Sequence, residues 1–109
     1  MTIPTHKDGT ITNVLARLES DLGPGAFVLA DHWPDDLMAV GIARRSDPGY
    51  LVYISTLGCA AGRYHVELEL PPKPNDDFPY TPAGEFASVD YAALLETVRT
   101  HLEVRHRAD

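Results

Sequence analysis

Residues 62–72 read GRYHVELELPP, and polar and apolar side chains alternate along them. In an extended chain, successive side chains point to opposite faces. Tyr64, Val66, Leu68 and Leu70 therefore share one face, and Arg63, His65, Glu67 and Glu69 share the other. The pattern predicts a strand with one face on a core. Its second face, with an imidazole and two carboxylates, looks at a reaction, a partner or water.

Upstream, Tyr50–Leu57 is rich in β-branched and aromatic residues, which predicts a strand. Both of its faces are fairly apolar, which places it centrally in a sheet. Tyr50 and Tyr53 fall on opposite faces, so at most one joins the core, and Tyr53 suits an interface beside Glu67 or Glu69. SDPG, residues 46–49, is a turn signature that joins this strand to another over Leu37–Arg45. In that strand Met38, Val40 and Ile42 lie on one face. Leu37, Ala39, Gly41 and Ala43 lie on the other and are small enough to sit under a helix. HWPDD separates it from a short apolar run, Ala26–Ala30, a further strand. Before that, Ile11, Val14, Leu15, Leu18 and Leu22 fall at helical spacing. The expected helix is Ile11–Leu22, with Thr10 as N-cap and Gly23–Pro24 as the stop.

Downstream, PPKPNDDFPYTP holds five of the nine prolines, which excludes a helix or an inner strand and predicts an ordered surface loop. GEFASVD leads into a second helix, marked by Tyr91, Leu94, Leu95, Val98 and Leu102 and capped by Ser88 or Asp90. Two helices with one apolar stripe each need a surface to cover. The expected fold is α+β: a two-layer sandwich whose antiparallel meander sheet of about four strands carries an N-terminal and a C-terminal helix. The other sheet face, with Glu67 and Glu69, is then partly open. The 109 residues form a single domain.

Composition narrows the function classes. No apolar run reaches the length of a membrane span, and the N-terminus lacks the layout of a signal peptide. Cys59 is the only cysteine and has no partner for a disulfide. A cytoplasmic location is expected. Net charge is −7, and between Tyr64 and Glu96 seven carboxylates face one lysine, which gives six of those seven charges. Such a surface disfavours nucleic acid and favours a basic partner, although it also serves solubility alone.

Candidate chemistry is sparse. Asp31, His32, Asp35 and Asp36 cluster in ADHWPDD, but their spacing matches no metal signature and an Asp-rich break around Pro forms a turn. No activating motif surrounds Cys59. His65 beside Glu67 can do acid–base chemistry only within a pocket. Trp33 is either a partner anchor or a lid on the core edge. Asp76, Asp77 and Tyr80 in the proline-rich loop extend the acidic face of the strand.

The pattern YLVYISTLGCAAGRYHVELELPP, then a PY turn, then GEFASVDYAALLETVRTHL, resembles small bacterial immunity proteins. The likeness is to CdiI-type proteins, which protect a cell from the C-terminal toxin domain of a contact-dependent growth inhibition system, and it spans Leu37–Leu102. It implies a non-enzymatic cytoplasmic antitoxin that occludes its cognate toxin, often a nuclease with a basic active site. It carries over no catalytic residue, and no metal, cofactor, membrane or nucleic-acid partner is expected. Glu67, Glu69, Asp76 and Asp77 are then the expected charge partners, with Tyr80 and Tyr53 as anchors. The alternatives are a small enzyme using His65 with Glu67 or His32 with Asp31 and Asp35, or a homodimeric regulatory module.

Overall fold

A computed structural model describes residues 3–75 and 77–104. Two helices and five strands follow in the order α1 (Gly9–Leu22), β1 (Val28–Leu29), β2 (Ala39–Arg44), β3 (Asp47–Ser55), β4 (Tyr64–Leu70), β5 (Thr81–Val89) and α2 (Tyr91–His101). The strands form one antiparallel sheet in sequence order, so every connection is local and β3 is central. The expected α+β sandwich is present, with five strands where about four were expected.

Both helices lie on one side of the sheet. Ile11, Val14, Leu15, Leu18 and Leu22 of α1 and Leu94 and Val98 of α2 bury against Val40, Ile42, Val52, Ile54 and Val66. Each such side chain removed from water contributes about 1.5–3 kcal/mol. Tyr50 packs on this side and Tyr53 faces the other, as their parity requires. Asp90 caps α2 by accepting from the Ala93 N–H at 2.9 Å. Asp8, not Thr10, caps α1. Its carboxylate accepts from the Thr10 backbone N–H and hydroxyl, at 3.0 and 2.6 Å, and these bonds hold its carboxyl below the ordinary aspartate range.

Three local expectations shift. The reversal between β2 and β3 falls at Arg45–Ser46, because Arg44 pairs with Asp47. Pro48 and Gly49 then belong to β3. β4 pairs with β3 only from Leu51 onward, so the missing Pro48 donor leaves no gap in that ladder. The 26–30 run yields only the two residues of β1. Thr81–Val89, which includes the end of the proline-rich segment, is a strand rather than a loop and helix lead-in. It tolerates Pro82 and Gly84 because it is the sheet edge, with register shifts along its pairing to β4.

No helix covers the small-residue face of β2. A segment of the β1–β2 connection crosses it instead. Ala30 N–H donates to the Gly41 carbonyl at 3.0 Å, and a Cβ on Gly41 would lie 2.5 Å from the Ala30 oxygen and 3.1 Å from the Trp33 ring. Glycine is required there by that approach.

Candidate functional site

The sheet face away from the helices carries Tyr53 and Ser55 of β3, His65, Glu67 and Glu69 of β4, and Glu85 of β5. The register makes this one surface. Tyr53 pairs with Glu67, Leu51 with Glu69, and Glu67 with Glu85, and paired residues share a face.

Trp33 reaches this face because its loop is pinned from below. Lys7, just before α1, has its side chain fully buried. Its ammonium donates to the carbonyls of Trp33 and Asp36 at 2.8 and 2.7 Å and lies 2.8 Å from the Asp31 carboxylate. A buried ammonium with three oxygen partners satisfies its three donors. Asp31 also accepts from the Trp33 N–H at 3.1 Å, and Asp36 accepts from the Met38 N–H at 3.0 Å. The Asp31–Asp36 cluster is therefore a braced turn whose carboxylates hold Lys7 and backbone. The braced Trp33 ring stands edge-to-face with Tyr53, centroids 4.8 Å apart and planes at 73°.

Together these groups line an open concavity of about 590 Å³. Trp33 and Tyr53 form one end, Glu67, Glu69 and Glu85 contribute carboxylates, and Tyr80, Pro82 and Gly84 come from the last loop and strand. Burial raises Glu69 above the ordinary glutamate range. The neighbouring Glu67 adds to that rise, and His32 opposes it. Burial likewise raises the Tyr53 phenol, against a lowering hydrogen bond from Ser55 and with smaller rises from Asp36 and Glu67. Both shifts come first from burial, and the neighbouring carboxylates add a smaller part.

Beside the hollow, His65 Nε2 lies 3.4 Å from Glu85 and 4.0 Å from Glu67. Among the described residues these three form the one group whose imidazole and carboxylate atoms, all within 4.8 Å of one another, converge enough to hold a metal ion. Glu67 and Glu85 stand directly opposite across β4 and β5, a like-charge pairing that costs stability unless a cation lies near.

Of the expected site residues, Tyr53, Glu67, Glu69 and Tyr80 meet in the hollow. Asp77 is exposed on the loop and does not line it. Asp76 falls outside the described residues. Trp33 is both a lid on the sheet face and part of the hollow. Glu85 was not singled out from the sequence, because only the β4–β5 register places it opposite Glu67. His32, exposed beside Trp33, is near enough to Glu69 to lower its carboxyl, but Asp31 is committed to Lys7. Cys59 is half-buried with its thiol 3.8 Å from the Ser55 carbonyl. Among the described residues, no histidine or carboxylate lines the depression around it, so nothing there serves as its base.

Among the described residues, no helix is long and apolar enough to cross a membrane. No protein-family model, curated protein or solved structure matches the chain.

Proposed function

We propose that the protein is a cytoplasmic immunity protein that neutralises a basic toxin domain by covering it with the open sheet face. The observation that carries this reading is the meeting of Trp33, Tyr53 and Tyr80 with Glu67, Glu69 and Glu85 around one hollow. Tyr and Trp anchors carry much of the energy of protein interfaces, and carboxylates beside them complement a cationic partner. A nuclease toxin offers such a partner, because its active site must hold phosphates. Acidic side chains on β4 and β5 then stand where phosphates would stand.

The test begins with the gene immediately upstream, which is expected to encode a toxin as its C-terminal domain, and uses that domain. Co-expression with the wild-type chain is expected to restore growth, and Glu67→Lys with Glu69→Lys to abolish protection. Truncating one member of a buried charge pair costs about 2–5 kcal/mol in interfaces of this kind. Equal protection by the doubly reversed variant, with unchanged salt dependence of binding, would overturn the reading.

A second reading rests on the convergence of His65, Glu67 and Glu85, which supplies the donor set for a divalent metal or an acid–base pair. It predicts saturable binding of a divalent cation, measured by calorimetry, that His65→Ala abolishes.

A further inference from the structure

We infer that the hollow on the open sheet face is a receptor for a single arginine side chain presented by the partner. This inference rests on the reading of that face as a docking surface, and it names the chemistry of the group that enters.

The first argument is the wall chemistry. Three carboxylates, Glu67, Glu69 and Glu85, exclude anions and demand positive charge. Three aromatic rings, Trp33, Tyr53 and Tyr80, offer flat faces and edges. A guanidinium satisfies both kinds of wall at once. It is planar, weakly hydrated, stacks on rings and forks onto carboxylates. A lysine ammonium is a strongly hydrated point charge and leaves the ring faces unused.

The second argument comes from the rest of the molecule. Two of its own arginines already sit in this kind of setting. The Arg17 guanidinium lies 3.7 Å over the Tyr91 ring, and the Tyr91 hydroxyl donates to the Asp21 carboxylate at 2.6 Å. The Arg44 guanidinium lies 3.5 Å over the Tyr50 ring and 3.6 Å from the Glu103 carboxylate. Ring, carboxylate and guanidinium occur together in both. The hollow repeats the ring and the carboxylate, with Tyr53 paired across β3–β4 to Glu67. Among the described residues, no guanidinium lies over Trp33, Tyr53 or Tyr80.

The third argument is size and position. About 590 Å³ falls within the range of ligand pockets and admits one long side chain with part of its flanking backbone. The hollow is open at the surface, so the side chain enters from a docked protein without any rearrangement of the strands.

Trp33 is the only tryptophan and lines the hollow, so its emission reports occupancy. The experiment titrates the protein with N-acetyl-arginine amide, and separately with the matched lysine and citrulline amides. Saturable change in Trp33 emission is expected for arginine, weaker response for lysine and none for citrulline, which keeps the shape but lacks the charge. Glu69→Gln is expected to weaken arginine binding about tenfold, the size of one lost charge-assisted contact. Tyr53→Leu is expected to weaken it as well, with far-ultraviolet circular dichroism confirming the fold of each variant. Equal responses to arginine and citrulline, no saturation with arginine, or indifference to both substitutions would overturn the inference. Loss of toxin neutralisation by Glu67→Lys with Glu69→Lys in a protein that fails to bind arginine amide would leave the immunity reading standing and remove this one. Arginine binding in a protein that neutralises no toxin would do the reverse.

Discussion

The two faces of the sheet are made by the same strands and are finished in opposite ways. On one face Val40, Ile42, Val52, Ile54 and Val66 are covered by two helices, and the side chains there are fully buried. On the other face Gly41 is covered by the Trp33 loop, and Tyr53, Glu67 and Glu69 remain partly open. The helical face is closed by area, since many apolar contacts each contribute a little. The open face is closed at one point, by a lysine that ties a loop to the body. The second method leaves a hollow of about 590 Å³, whereas the helical face keeps a smaller depression of about 310 Å³ where α2 meets Leu68 and Phe86.

Substitutions can break the contrast from either side. The largest effect is expected on the closed face. Ile54→Ala removes a fully buried side chain at the centre of the sheet and should destabilise the protein by about 2–5 kcal/mol in urea unfolding, leaving a cavity no neighbour fills. Next comes the single tie of the open face. Lys7→Met keeps the length of the stem but removes the ammonium, leaving the Asp31 carboxylate and two carbonyls without it. A loss of about 3 kcal/mol is expected, together with a red shift of Trp33 emission as the loop lifts. An unshifted emission would show that the loop is held by packing alone.

A smaller change is expected at Gly41. Gly41→Ala drives a methyl into the Ala30 carbonyl and the Trp33 ring, and overpacking of this kind costs about 1–3 kcal/mol. Its emission change should resemble that of Lys7→Met, since both act on the same loop.

The smallest effect is expected inside the hollow, and it takes the opposite sign. Burial, with Glu67, raises the Glu69 carboxyl, so the folded state binds a proton more readily than the unfolded chain. Ionised Glu69 therefore weakens the fold above its raised pKa, and that cost vanishes as pH falls below the ordinary carboxylate range. Glu69→Gln should match or slightly exceed the parent stability at about pH 7 and lose any advantage at about pH 3. A clear destabilisation at neutral pH would show that Glu69 is held by a favourable partner and is not a charge kept for docking.

The legibility of the molecule follows the range of each interaction. The stripe of α1, the alternation of β4 and the stop at Gly23 depend on spacing within a few residues, and each was readable. β5 was not, because Pro82, Ala83, Gly84 and Ala87 have low strand propensity and are held only by pairing with β4. Tyr53, Glu67 and Glu69 were readable as one face from their parity. Proximity in sequence alone assigns Asp77 to that face, and the loop carries it away from the hollow.

That β4 has one apolar and one acidic face was written in its alternation, since side-chain parity in a strand follows from backbone geometry alone. The sequence also placed six of the seven net negative charges in about one third of the chain. The hollow on this face arises from folding, which sets Glu85 opposite Glu67 and Trp33 against Tyr53. Those neighbours lie about twenty residues apart and are joined by strand register and by the buried ammonium of Lys7. Neither leaves a periodic trace in the chain, because each is a contact between distant residues satisfied once.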